Sequence, residues 1–423
     1  MRAVVFGTGG REHALVKALS SSMMVQEVHA IPGSDGMSGE ALCHKIDPMD
    51  FSAVGSLLER IPFDLAIIGP EAYLDKGLAD FLRDKSIPVV GPNQMGARLE
   101  SSKLFAKKYM VENGVPTARF FEVTSVEMTT EKAREFKAPY VLKADGLAAG
   151  KGVFICSTIE ELQEKADLIF NKKTFGGSGK SALLEEFQEG YELSCLLLTN
   201  GSEYEMLPLM QDHKRLLDQG KGPNTGGMGV AGPLPKDEKL FDVLHKKVAQ
   251  PTVKGLSRMG LDFRGVVFVG VMMTKDGPSV LEYNVRFGDP EAQAIMPLYA
   301  GDWGQVFMSL AKGKVTPMDW KPLFSTCVVL ASPGYPDSPQ SGLRIEGEMG
   351  FETPSSYFLH AGTAYDGKVW QTKGGRVLNA VAVGRTLSEA IDGAYLQASK
   401  VSFQGVQMRT DIGQEVLKSF PSS

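Results

Sequence analysis

The stretch Ala3-Val-Val-Phe-Gly-Thr-Gly-Gly10 decides the fold of the first part of the chain, because an apolar run turns directly into glycines. A strand, a glycine turn and an amphipathic helix from about Arg11 to Leu19 make up the first half of a βαβ unit. Further strand patterns alternate with helical ones, at Val25–Ile31, Leu65–Ile68 and Pro88–Val90. This alternation predicts a parallel sheet covered by helices, in an α/β domain that ends near residue 100.

The turns that follow the strands of an α/β sheet are the places where such a sheet binds its ligand. We expect three of them to face one ligand, namely Pro32-Gly-Ser34, Gly69-Pro-Glu71 and Gly91-Pro-Asn93. The first glycine turn suits an anion held by backbone N–H groups at a helix N-terminus. A dinucleotide is disfavoured, because Glu12 stands where the fingerprint needs glycine. A single phosphate is the favoured interpretation, and a tight turn without a ligand is the alternative.

Composition excludes several classes of protein. The chain has 423 residues, enough for about two to four domains of roughly 100–200 residues each, and 43% of its residues are apolar. The net charge of −5 provides no basic surface for nucleic acid. The longest apolar run, Gly265–Met273, is far shorter than the roughly 18 residues of a membrane helix. We therefore expect a globular protein with neither nucleic-acid nor membrane partners.

The cysteines and the first residues predict the compartment. Four cysteines lie far apart and form no C-x-x-C pair, namely Cys43, Cys156, Cys195 and Cys327. In a chain of this size that spacing is typical of reduced thiols. The apolar stretch within Met1–Phe6 is also too short for a secretory leader. Both observations predict a cytoplasmic protein.

A second glycine-rich segment favours a nucleotide site. The strand Tyr140–Lys143 enters the loop Asp145–Val153, which consists mostly of small residues, and the strand Phe154–Cys156 follows. Such a hairpin can fold over a triphosphate, with backbone N–H groups and Lys143 supplying positive charge. The segment does not complete the P-loop pattern, because Gly152 stands where that pattern needs serine or threonine.

Residues 179–192 combine a false P-loop signal with a second nucleotide element. Gly179-Lys-Ser181 has the end of a P-loop but lacks its first glycine, so we predict a loop with Lys180 in water. The apolar strand Ala182–Phe187 ends in acidic residues, and Glu192 follows. Such a strand can present backbone groups to a purine and carboxylates to a ribose. A solvated strand end at Glu185 and Glu186 is the alternative.

The strongest pattern is Val280-Leu-Glu-Tyr-Asn-Val-Arg-Phe-Gly-Asp-Pro-Glu291. On a strand of period two, Glu282, Asn284 and Arg286 share one face, and the other face carries Leu281, Tyr283, Val285 and Phe287. Burying three polar groups between apolar neighbours is costly unless a ligand pairs with them. A carboxylate and an amide oxygen suit Mg²⁺ carried with phosphate, and an arginine suits a transferring phosphoryl group. An exposed hydrophilic strand face is the alternative.

The loop Asp212–Pro235 mixes charges with glycines and can order over a small ligand, or it can be a plain surface connection. No second His or Cys lies at ligand spacing from His213, so we expect a supporting or solvent-exposed residue there rather than a metal ligand. Near the end of the chain, Lys373-Gly-Gly-Arg376 can hold another anion or form only a hairpin turn. Both alternatives stay open.

The remaining elements follow from periodicity and turn signals. Helices are predicted at Ser102–Asn113, Ile159–Phe170 and Lys239–Met259. The strands Val266–Met273 and Ser279–Phe287 are joined by Lys275-Asp-Gly-Pro278, which predicts a hairpin. The segment from about Ser325 onward is predicted to be rich in β-strands.

Several segments together resemble the glycinamide ribonucleotide synthetases, or phosphoribosylamine–glycine ligases, a family of the ATP-grasp ligases. These segments are Gly7–Ala14, Gly69–Glu71, Lys143–Gly152, Asp212–Arg215, Gly222–Gly229 and Asn284–Glu291. The last two are long and highly specific. The resemblance extends from the first residues to Gly374-Gly-Arg376 and so covers nearly the whole chain.

The resemblance implies an α/β and α+β multidomain fold in three parts. Residues 1–100 would form a Rossmann-like parallel sheet that binds substrate. Residues 101–324 would form the ATP-grasp domain, with a nucleotide-covering subdomain at about 121–189. Residues 325–423 would form a β-rich C-terminal domain.

The resemblance also implies a reaction of de novo purine biosynthesis. ATP would phosphorylate the carboxylate of glycine, and the amine of 5-phosphoribosylamine would then displace phosphate to give glycinamide ribonucleotide. This chemistry needs positioning and charge stabilisation but no protein nucleophile. A transient contact with the amidotransferase that makes phosphoribosylamine is a further expectation, because that amine is labile.

Carried over to this chain, the resemblance assigns roles to single positions. The residues expected to bind ATP are Lys103, Lys143, Gly150, Glu185, Glu186, Phe187, Glu192 and Leu281. Glu282 and Asn284 would bind Mg²⁺ or Mn²⁺. The residues expected at the substrates are Gly9, Gly10, Arg11, Asp212, Lys214, Gly226, Gly227, Asp289 and Glu291. Arg286, Lys143 and Asp212 would be catalytic, with Arg286 stabilising the acyl phosphate.

Two rival interpretations compete with this one. A related ATP-grasp ligase that carboxylates an imidazole ribonucleotide would use bicarbonate in place of glycine, and the Asp212–Gly229 loop argues against it. A catalytically silent nucleotide-binding protein would not need Lys143, Glu282, Asn284 and Arg286 intact. The chain departs from the family at Tyr191, Leu217–Gly220 and Val230–Pro233, which concerns closure of the loop rather than the reaction.

Overall fold

The computed structural model describes residues 1–147, 152–172, 180–235 and 237–419. Gly150, one of the predicted nucleotide contacts, lies outside the described residues, as do Lys151 and Gly179. Within the described part, no helix combines the length and the apolar character that crossing a membrane requires. All four cysteines are free thiols.

The N-terminal part is the predicted parallel sheet. Its strands are β1 (Arg2–Gly7), β2 (Glu27–Pro32), β3 (Leu42–Cys43), β4 (Leu65–Ile68) and β5 (Val89–Val90), in the order β3-β2-β1-β4-β5. Its helices are α1 (Gly10–Ser20), α2 (Phe51–Arg60), α3 (Glu71–Asp75), α4 (Leu78–Asp84) and α5 (Gln94–Ser101). Every pairing in this sheet is parallel. The apolar runs of β1 and β4 are buried on both faces, as the helical layers of such a sheet require.

A second, antiparallel sheet follows α6 (Lys103–Glu112). Its strands are β6 (Phe120–Val123), β7 (Tyr140–Ala144), β8 (Val153–Cys156) and β9 (Ala182–Glu186), in the order β6-β9-β7-β8. Helices α7 (Val126–Ala133) and α8 (Ile159–Phe170) pack on it around a separate apolar core. The predicted strand–loop–strand hairpin is therefore present as β7 and β8, with Lys143 paired to Val153.

The third sheet carries the strongest sequence pattern. Its strands are β10 (Tyr191–Thr199), β11 (Tyr204–Met206), β16 (Gly265–Thr274) and β17 (Gly277–Asn284), in the order β11-β10-β16-β17. The predicted hairpin joins β16 to β17, with Thr274 paired to Gly277. The predicted strand to Phe287 is too long, because β17 ends at Asn284. The next amide, Val285 N–H, donates to the Glu100 carboxylate instead of to a strand.

Two predictions between these strands need correction. The segment from Asp212 to Pro235 is not a plain loop, since it contains β13 (Arg215–Leu217), β14 (Lys221–Asn224) and β15 (Gly229–Gly232), and β12 (Gln211–Asp212) begins just before it. The predicted helix at 239–259 is α9 (Glu238–Leu244) and α10 (Gln250–Arg258), separated by a π-helical turn at His245–Ala249. Pro251 cannot donate a helical hydrogen bond, so the wider turn directly before it has a local cause.

The C-terminal part is rich in β-strands, as predicted. Its elements are α11 (Glu291–Ile295), α12 (Trp303–Ala311), β18 (Phe324–Ala331), β19 (Arg344–Gly347), β20 (Ser356–His360), β21 (Thr363–Tyr365), β22 (Trp370–Thr372), β23 (Arg376–Gly384), α13 (Leu387–Ala398), β24 (Val401–Ser402) and α14 (Gln414–Ser419). One sheet has the order β12-β15-β18-β23-β20 and a smaller one the order β21-β22-β19-β24. Because β12 and β15 lie on either side of residues 213–228, the C-terminal sheet anchors both ends of this stretch, which contains the glycine-rich Gly222–Met228 segment.

Candidate active site

One cavity of about 770 Å³ lies where the parts of the chain meet. It is lined by sixteen of the residues predicted as site residues, namely Arg11, Lys103, Lys143, Glu185, Glu186, Phe187, Glu192, Asp212, Lys214, Gly226, Leu281, Glu282, Asn284, Arg286, Asp289 and Glu291. These residues are spread over nearly the whole sequence, and the fold collects them around one space. Gly9, Gly10 and Gly227 are not among the lining residues.

Strand β17 supplies the carboxylate and the amide of the predicted metal site. The Glu282 side chain is 38% exposed, toward the cavity, and Asn284 lies two positions further along the strand. Burial would raise the pKa of Glu282, but Lys214, Lys143, Lys103 and Arg286 outweigh burial and hold it below its usual range. The carboxylate is therefore ionised at neutral pH, as a metal ligand must be.

Leu281 corrects the predicted face of the strand. Glu282 pairs with Gly270 and Val280 pairs with Val271, so Leu281 is an extra residue in a β-bulge. Leu281 lines the cavity beside Glu282 and is only partly buried, whereas Tyr283, which also borders the cavity, is buried. Its carbonyl oxygen accepts a hydrogen bond from Lys143 Nζ at 3.2 Å.

Lys103 on α6 and Lys143 on β7 approach the same part of the cavity. Lys103 Nζ, at the first turn of α6, donates to the carbonyl of Gly146 at 2.9 Å. Burial lowers the pKa of Lys103, and Glu282 partly opposes this effect. Asp145, in the described start of the glycine loop, accepts the N–H of Leu104 at 3.1 Å and so caps α6. The loop and α6 are thereby joined at one point.

Glu185 links Lys143 to a residue that the sequence analysis missed. Its Oε2 atom lies 3.0 Å from Lys143 Nζ and 3.1 Å from Lys107 Nζ. Burial lowers the pKa of Lys107 to about 8, although Glu185 opposes the shift. Glu185 Oε1 is buried and has no hydrogen-bond partner in the described structure. Glu185 is therefore not the solvated strand end that was the alternative, whereas Glu186 is partly exposed and forms a two-point pair with Arg119 at 3.0 Å.

Lys214 lines the same cavity and is surrounded by carboxylates. Its Nζ lies 3.3 Å from Glu192 and 3.8 Å from Glu282. Although burial disfavours the ammonium, Glu192, Glu282 and Asp212 raise the pKa of Lys214. Burial and the neighbouring Glu291 raise the pKa of Asp212 well above its usual range. Asp212 Oδ1 is a buried oxygen without a hydrogen-bond partner in the described structure, so this corner can receive a further positive group.

Arg286 is held by two carboxylates from the N-terminal part. Its Nη2 atom lies 2.9 Å from Glu100, and its Nε atom lies 3.4 Å from Glu71. Burial raises the pKa of Glu100 to about 7, and the adjacent Glu71 adds to this while Arg286 opposes it. Glu71 belongs to one of the three turns predicted to face a ligand. The other two turns do not line the cavity; at Gly91 and Asn93 the N–H groups donate to carbonyls next to β16.

Arg376 bears on the choice left open for Lys373–Arg376, between an anion site and a simple hairpin turn. Its guanidinium lines the cavity, pairs with Asp289 at 3.0 Å and donates to the Gly226 carbonyl at 2.8 Å. Tyr335 adds a hydroxyl that accepts the Gly226 N–H at 2.9 Å. The Lys373–Arg376 turn is thus more than a surface hairpin, and it fixes the glycine segment from the C-terminal side.

The first glycine turn holds an anion, but that anion belongs to the chain. Gly9 N–H donates to Glu12 Oε2 at 2.7 Å, and Glu12 Oε1 lies 2.6 Å from Arg11 Nε. A Cβ atom on Gly10 would stand 2.3 Å from Asn379 Nδ2, so Gly10 is packed against β23. Neither glycine is among the residues that line the cavity. Arg11 does line it, with Nη1 on the Phe287 carbonyl at 3.2 Å.

His213 is buried and supports the loop rather than facing solvent. Its Nδ1 atom lies 3.3 Å from the Gly229 carbonyl, and its Nε2 atom lies 3.4 Å from the Gly413 N–H. Burial lowers the pKa of His213 to about 4, with Arg409 adding to the effect. In the part of the chain that the structure describes, no group of three or more His, Cys, Asp or Glu side chains forms a metal cluster.

Comparison with known proteins gives a consistent picture. Residues 1–100, 101–292 and 325–415 match the profiles of the N domain, the ATP-grasp (A) domain and the C domain of phosphoribosylglycinamide synthetase. A phosphoribosylamine–glycine ligase of Streptomyces coelicolor is 40% identical over 97% of this chain and 98% of that protein. The trifunctional purine biosynthetic protein adenosine-3 of Drosophila melanogaster is 40% identical over 99% of the chain, which spans 32% of that longer protein. The crystal structure of phosphoribosylamine–glycine ligase from Thermotoga maritima superposes with a TM-score of 0.86 at 36% identity, covering 97% of this chain and 100% of that one.

Proposed function

The chain belongs to the phosphoribosylglycinamide synthetase family of ATP-grasp enzymes, and from this premise we infer that it ligates glycine to 5-phosphoribosylamine. The observation that carries the proposal is the shared cavity. Lys103, Lys143 and the Glu282–Asn284 pair line it, and so does an acidic corner where Asp212 has a buried oxygen without a hydrogen-bond partner in the described structure. We also propose that the chain divides into three domains at residues 100 and 324, which is supported by the ranges that the three family profiles match.

The reaction has two bond exchanges. A carboxylate oxygen of glycine attacks the γ-phosphorus of ATP, the bond from that phosphorus to the bridging oxygen breaks, and ADP leaves. The amine nitrogen of phosphoribosylamine then attacks the acyl carbon of glycyl phosphate, phosphate leaves, and the nitrogen loses a proton. The products are glycinamide ribonucleotide, ADP and phosphate. The chain needs no nucleophile of its own, only placed charges.

We assign the nucleotide to the lysine end of the cavity. Lys103 and Lys143 would contact the phosphates, together with Gly150. The backbone of Glu185, Glu186 and Phe187 would meet the adenine, beside Leu281. Glu192 would accept hydrogen bonds from the ribose hydroxyls, and these would replace part of its ion pair with Lys214.

The donors on β17 fit a divalent cation. Mg²⁺ is commonly held by one or two protein oxygens, with phosphates and water completing its shell. Glu282, ionised and open to the cavity, and Asn284 beside it are such a pair, and Mn²⁺ accepts the same donors. A bound cation would neutralise phosphate charge as the γ-phosphoryl group moves. Arg286 would stabilise the acyl phosphate from the other side.

The acidic corner suits the ammonium group of glycine. Asp212 and Glu291 face this corner, and a cation there would satisfy the free Asp212 oxygen. Lys214 would then lie between the glycine site and the metal site. Arg11, Asp289, Gly226 and Gly227 would bind the phosphoribosylamine, and Gly9 and Gly10, at the start of α1, would face it.

The remaining expectations about partners and compartment are proposals of the same kind. A cytoplasmic location fits an enzyme whose substrates are small soluble metabolites. Direct transfer from the amidotransferase that makes phosphoribosylamine is proposed only from the lability of the amine. Undetectable association of the two enzymes, with no kinetic gain on mixing them, would contradict it.

The test is ADP release with ATP, Mg²⁺ and glycine, while phosphoribosylamine is generated in place from ribose 5-phosphate and ammonia. ADP that forms only when glycine and the amine are both present supports the ligase. ADP formed with bicarbonate in place of glycine would favour the rival carboxylating enzyme. A protein that binds ATP but releases no ADP with either carboxylate would be the silent nucleotide-binding protein.

A further inference from the structure

Glu100 is a buried carboxylate with two neighbours and no role in the reaction as proposed above. It lies in the last turn of α5, and its side chain is 6% exposed. Its Oε2 atom accepts the N–H of Val285 at 2.7 Å, and its Oε1 atom lies 2.9 Å from Arg286 Nη2. Both oxygens are therefore used, on two adjacent residues of the segment that follows β17.

These two contacts hold Arg286 at both ends. The bond to Val285 N–H fixes the backbone directly before Arg286, and the ion pair fixes its guanidinium. The second carboxylate, Glu71, is the weaker restraint, because it lies at 3.4 Å and its side chain is 30% exposed. A long side chain with a free guanidinium would otherwise sample many rotamers in a cavity of this size. Glu100 thus selects one of them.

The same short segment places a second cation of the site. Glu100 ends α5, Ser102 caps α6 through the N–H of Phe105 at 3.1 Å, and Lys103 begins α6. Because α6 is also fixed by Asp145, the segment from Glu100 to Lys103 has little freedom. It sets the positions of Arg286 and Lys103 relative to each other.

We propose that Glu100 is a positioning residue for catalysis, which acts on the acyl phosphate only through Arg286. The inference rests on the proposed role of Arg286. It assigns to the buried carboxylate a function in the second half of the reaction, where glycyl phosphate must be protected until the amine attacks. An Arg286 that is badly placed would let water compete with the amine.

The test begins with Glu100→Gln, which keeps shape and removes charge. We expect kcat to fall at least about tenfold while the KM for ATP stays within about twofold, since Lys103 and Lys143 are unchanged. We also expect more than one ADP per glycinamide ribonucleotide, because glycyl phosphate would hydrolyse. The matched control is Glu122→Gln, which removes an exposed carboxylate paired with Lys108 and should leave both values unchanged. A kcat within twofold of wild type for Glu100→Gln overturns the proposal.

A double-mutant cycle separates positioning from a general structural effect. Arg286→Gln alone tests the role of Arg286, and retained activity there would contradict the proposed function itself. If Arg286→Gln is impaired, the Glu100→Gln/Arg286→Gln double variant should be no worse than Arg286→Gln, because Glu100 then has nothing to position. Losses that multiply would overturn the positioning role and leave the proposed function intact.

The double variant also protects the test against misfolding. Glu100→Gln leaves Arg286 paired with Glu71 and with the Phe287 carbonyl. The double variant removes the guanidinium as well, so that only the partly exposed Glu71 loses its partner. Thermal unfolding of all three variants shows whether each one folds. If Glu100→Gln does not fold, Glu100→Asp keeps the charge and shifts it by one methylene group. An ADP-to-product ratio that remains at one in Glu100→Asp, with unchanged kcat, would count against the proposal.

Discussion

Single charged side chains in the cavity are held in opposite-charge pairs by the protein itself. Lys143 lies 3.0 Å from Glu185, Lys214 lies 3.3 Å from Glu192, and Arg376 lies 3.0 Å from Asp289. The pairs fix the cations in place and offset their mutual repulsion. A ligand phosphate therefore meets cations that are already oriented, but it must exchange with a carboxylate to reach them.

Glu282→Ala should abolish turnover without unfolding the chain. The substitution removes the only carboxylate on β17 that faces the cavity, so we expect activity to fall by about 100-fold or more. The urea midpoint should change little, because the side chain is already 38% exposed. Asp276→Ala, in the turn of the same hairpin, is the control and should be fully active. Near-normal activity of Glu282→Ala at saturating Mg²⁺ would refute the metal assignment.

Lys180→Ala should be nearly silent. Lys180 is exposed and does not line the cavity, so we expect activity within about threefold of wild type. Lys143→Ala is the matched positive control and should lose about 100-fold. Steady-state ADP release measures both. A hundredfold loss in Lys180→Ala would show that the second glycine loop touches phosphate.

Alternation along a strand was enough to predict Glu282 and Asn284, but not the partners of Arg286. Glu100 lies 185 positions from Val285, whose N–H it accepts, and Glu71 lies 215 positions from Arg286, and no local pattern indicates such contacts. Leu281 was placed on the wrong face because a bulge cannot be inferred from period two alone. The sequence also does not show that the Glu12 carboxylate folds back to accept the N–H of Gly9.

At the scale of elements, the glycine-rich segment between β14 and β15 depends on close backbone contact. Gly227 has φ +115, and a Cβ atom there would stand 2.5 Å from Pro290 Cδ and 3.2 Å from Asp212 Oδ1. The segment is also tied to the C-terminal part through Tyr335 and Arg376. Its conformation thus follows from packing between distant elements. The sequence could predict only that the segment is glycine-rich and near a ligand.

Gly227→Ala should therefore lower activity more than a glycine substitution that creates only backbone strain. We expect a loss of about 10- to 100-fold, because the added methyl group displaces Pro290 or Asp212. Gly220→Ala is the control, since Gly220 has φ +66 with no atom near the added Cβ. It should cost roughly 1 kcal/mol of stability and leave activity within about threefold. Equal losses in the two variants would show that strain, not contact, is the cause.

At the scale of the whole molecule, buried histidines connect the parts. His360 N–H, on β20, donates to His13 Nδ1 of α1 at 2.8 Å, and His213 joins the glycine segment to the chain near Gly413. Burial lowers the pKa of His360 to about 3, and the adjacent His13 adds to the shift. The parallel and antiparallel sheets could be predicted from strand patterns. The contacts between the sheets could not be predicted, because single hydrogen bonds between distant segments leave no periodic pattern in the sequence.

These histidines predict a loss of stability in acid. The unfolded chain takes up protons on His213 and His360 below about pH 6.5, whereas the folded chain does not until about pH 4 for His213 and about pH 3 for His360. The folded state therefore has its full stability, as far as these two histidines are concerned, above about pH 6.5. It loses stability as the pH falls from there toward the folded-state pKa values. Between pH 7 and pH 4 the free energy of unfolding of His213→Gln should therefore fall by up to about 3 kcal/mol less than that of wild type, as measured by urea unfolding. His245→Gln, at an exposed site, should follow wild type, and identical curves for all three proteins would contradict the assignment.

The bulge at Leu281 interrupts the pairing of β16 with β17 and places the Leu281 carbonyl at the cavity. If residue 281 were deleted, Val280 and Glu282 would become neighbours opposite Val271 and Gly270, and the ladder would run without interruption. Glu282 and Asn284 would keep their face, and Lys143 would lose its carbonyl partner. The extra residue thus serves the cavity rather than the sheet. A one-residue insertion in the strand thus gives the cavity a carbonyl oxygen for Lys143 and an apolar side chain beside Glu282.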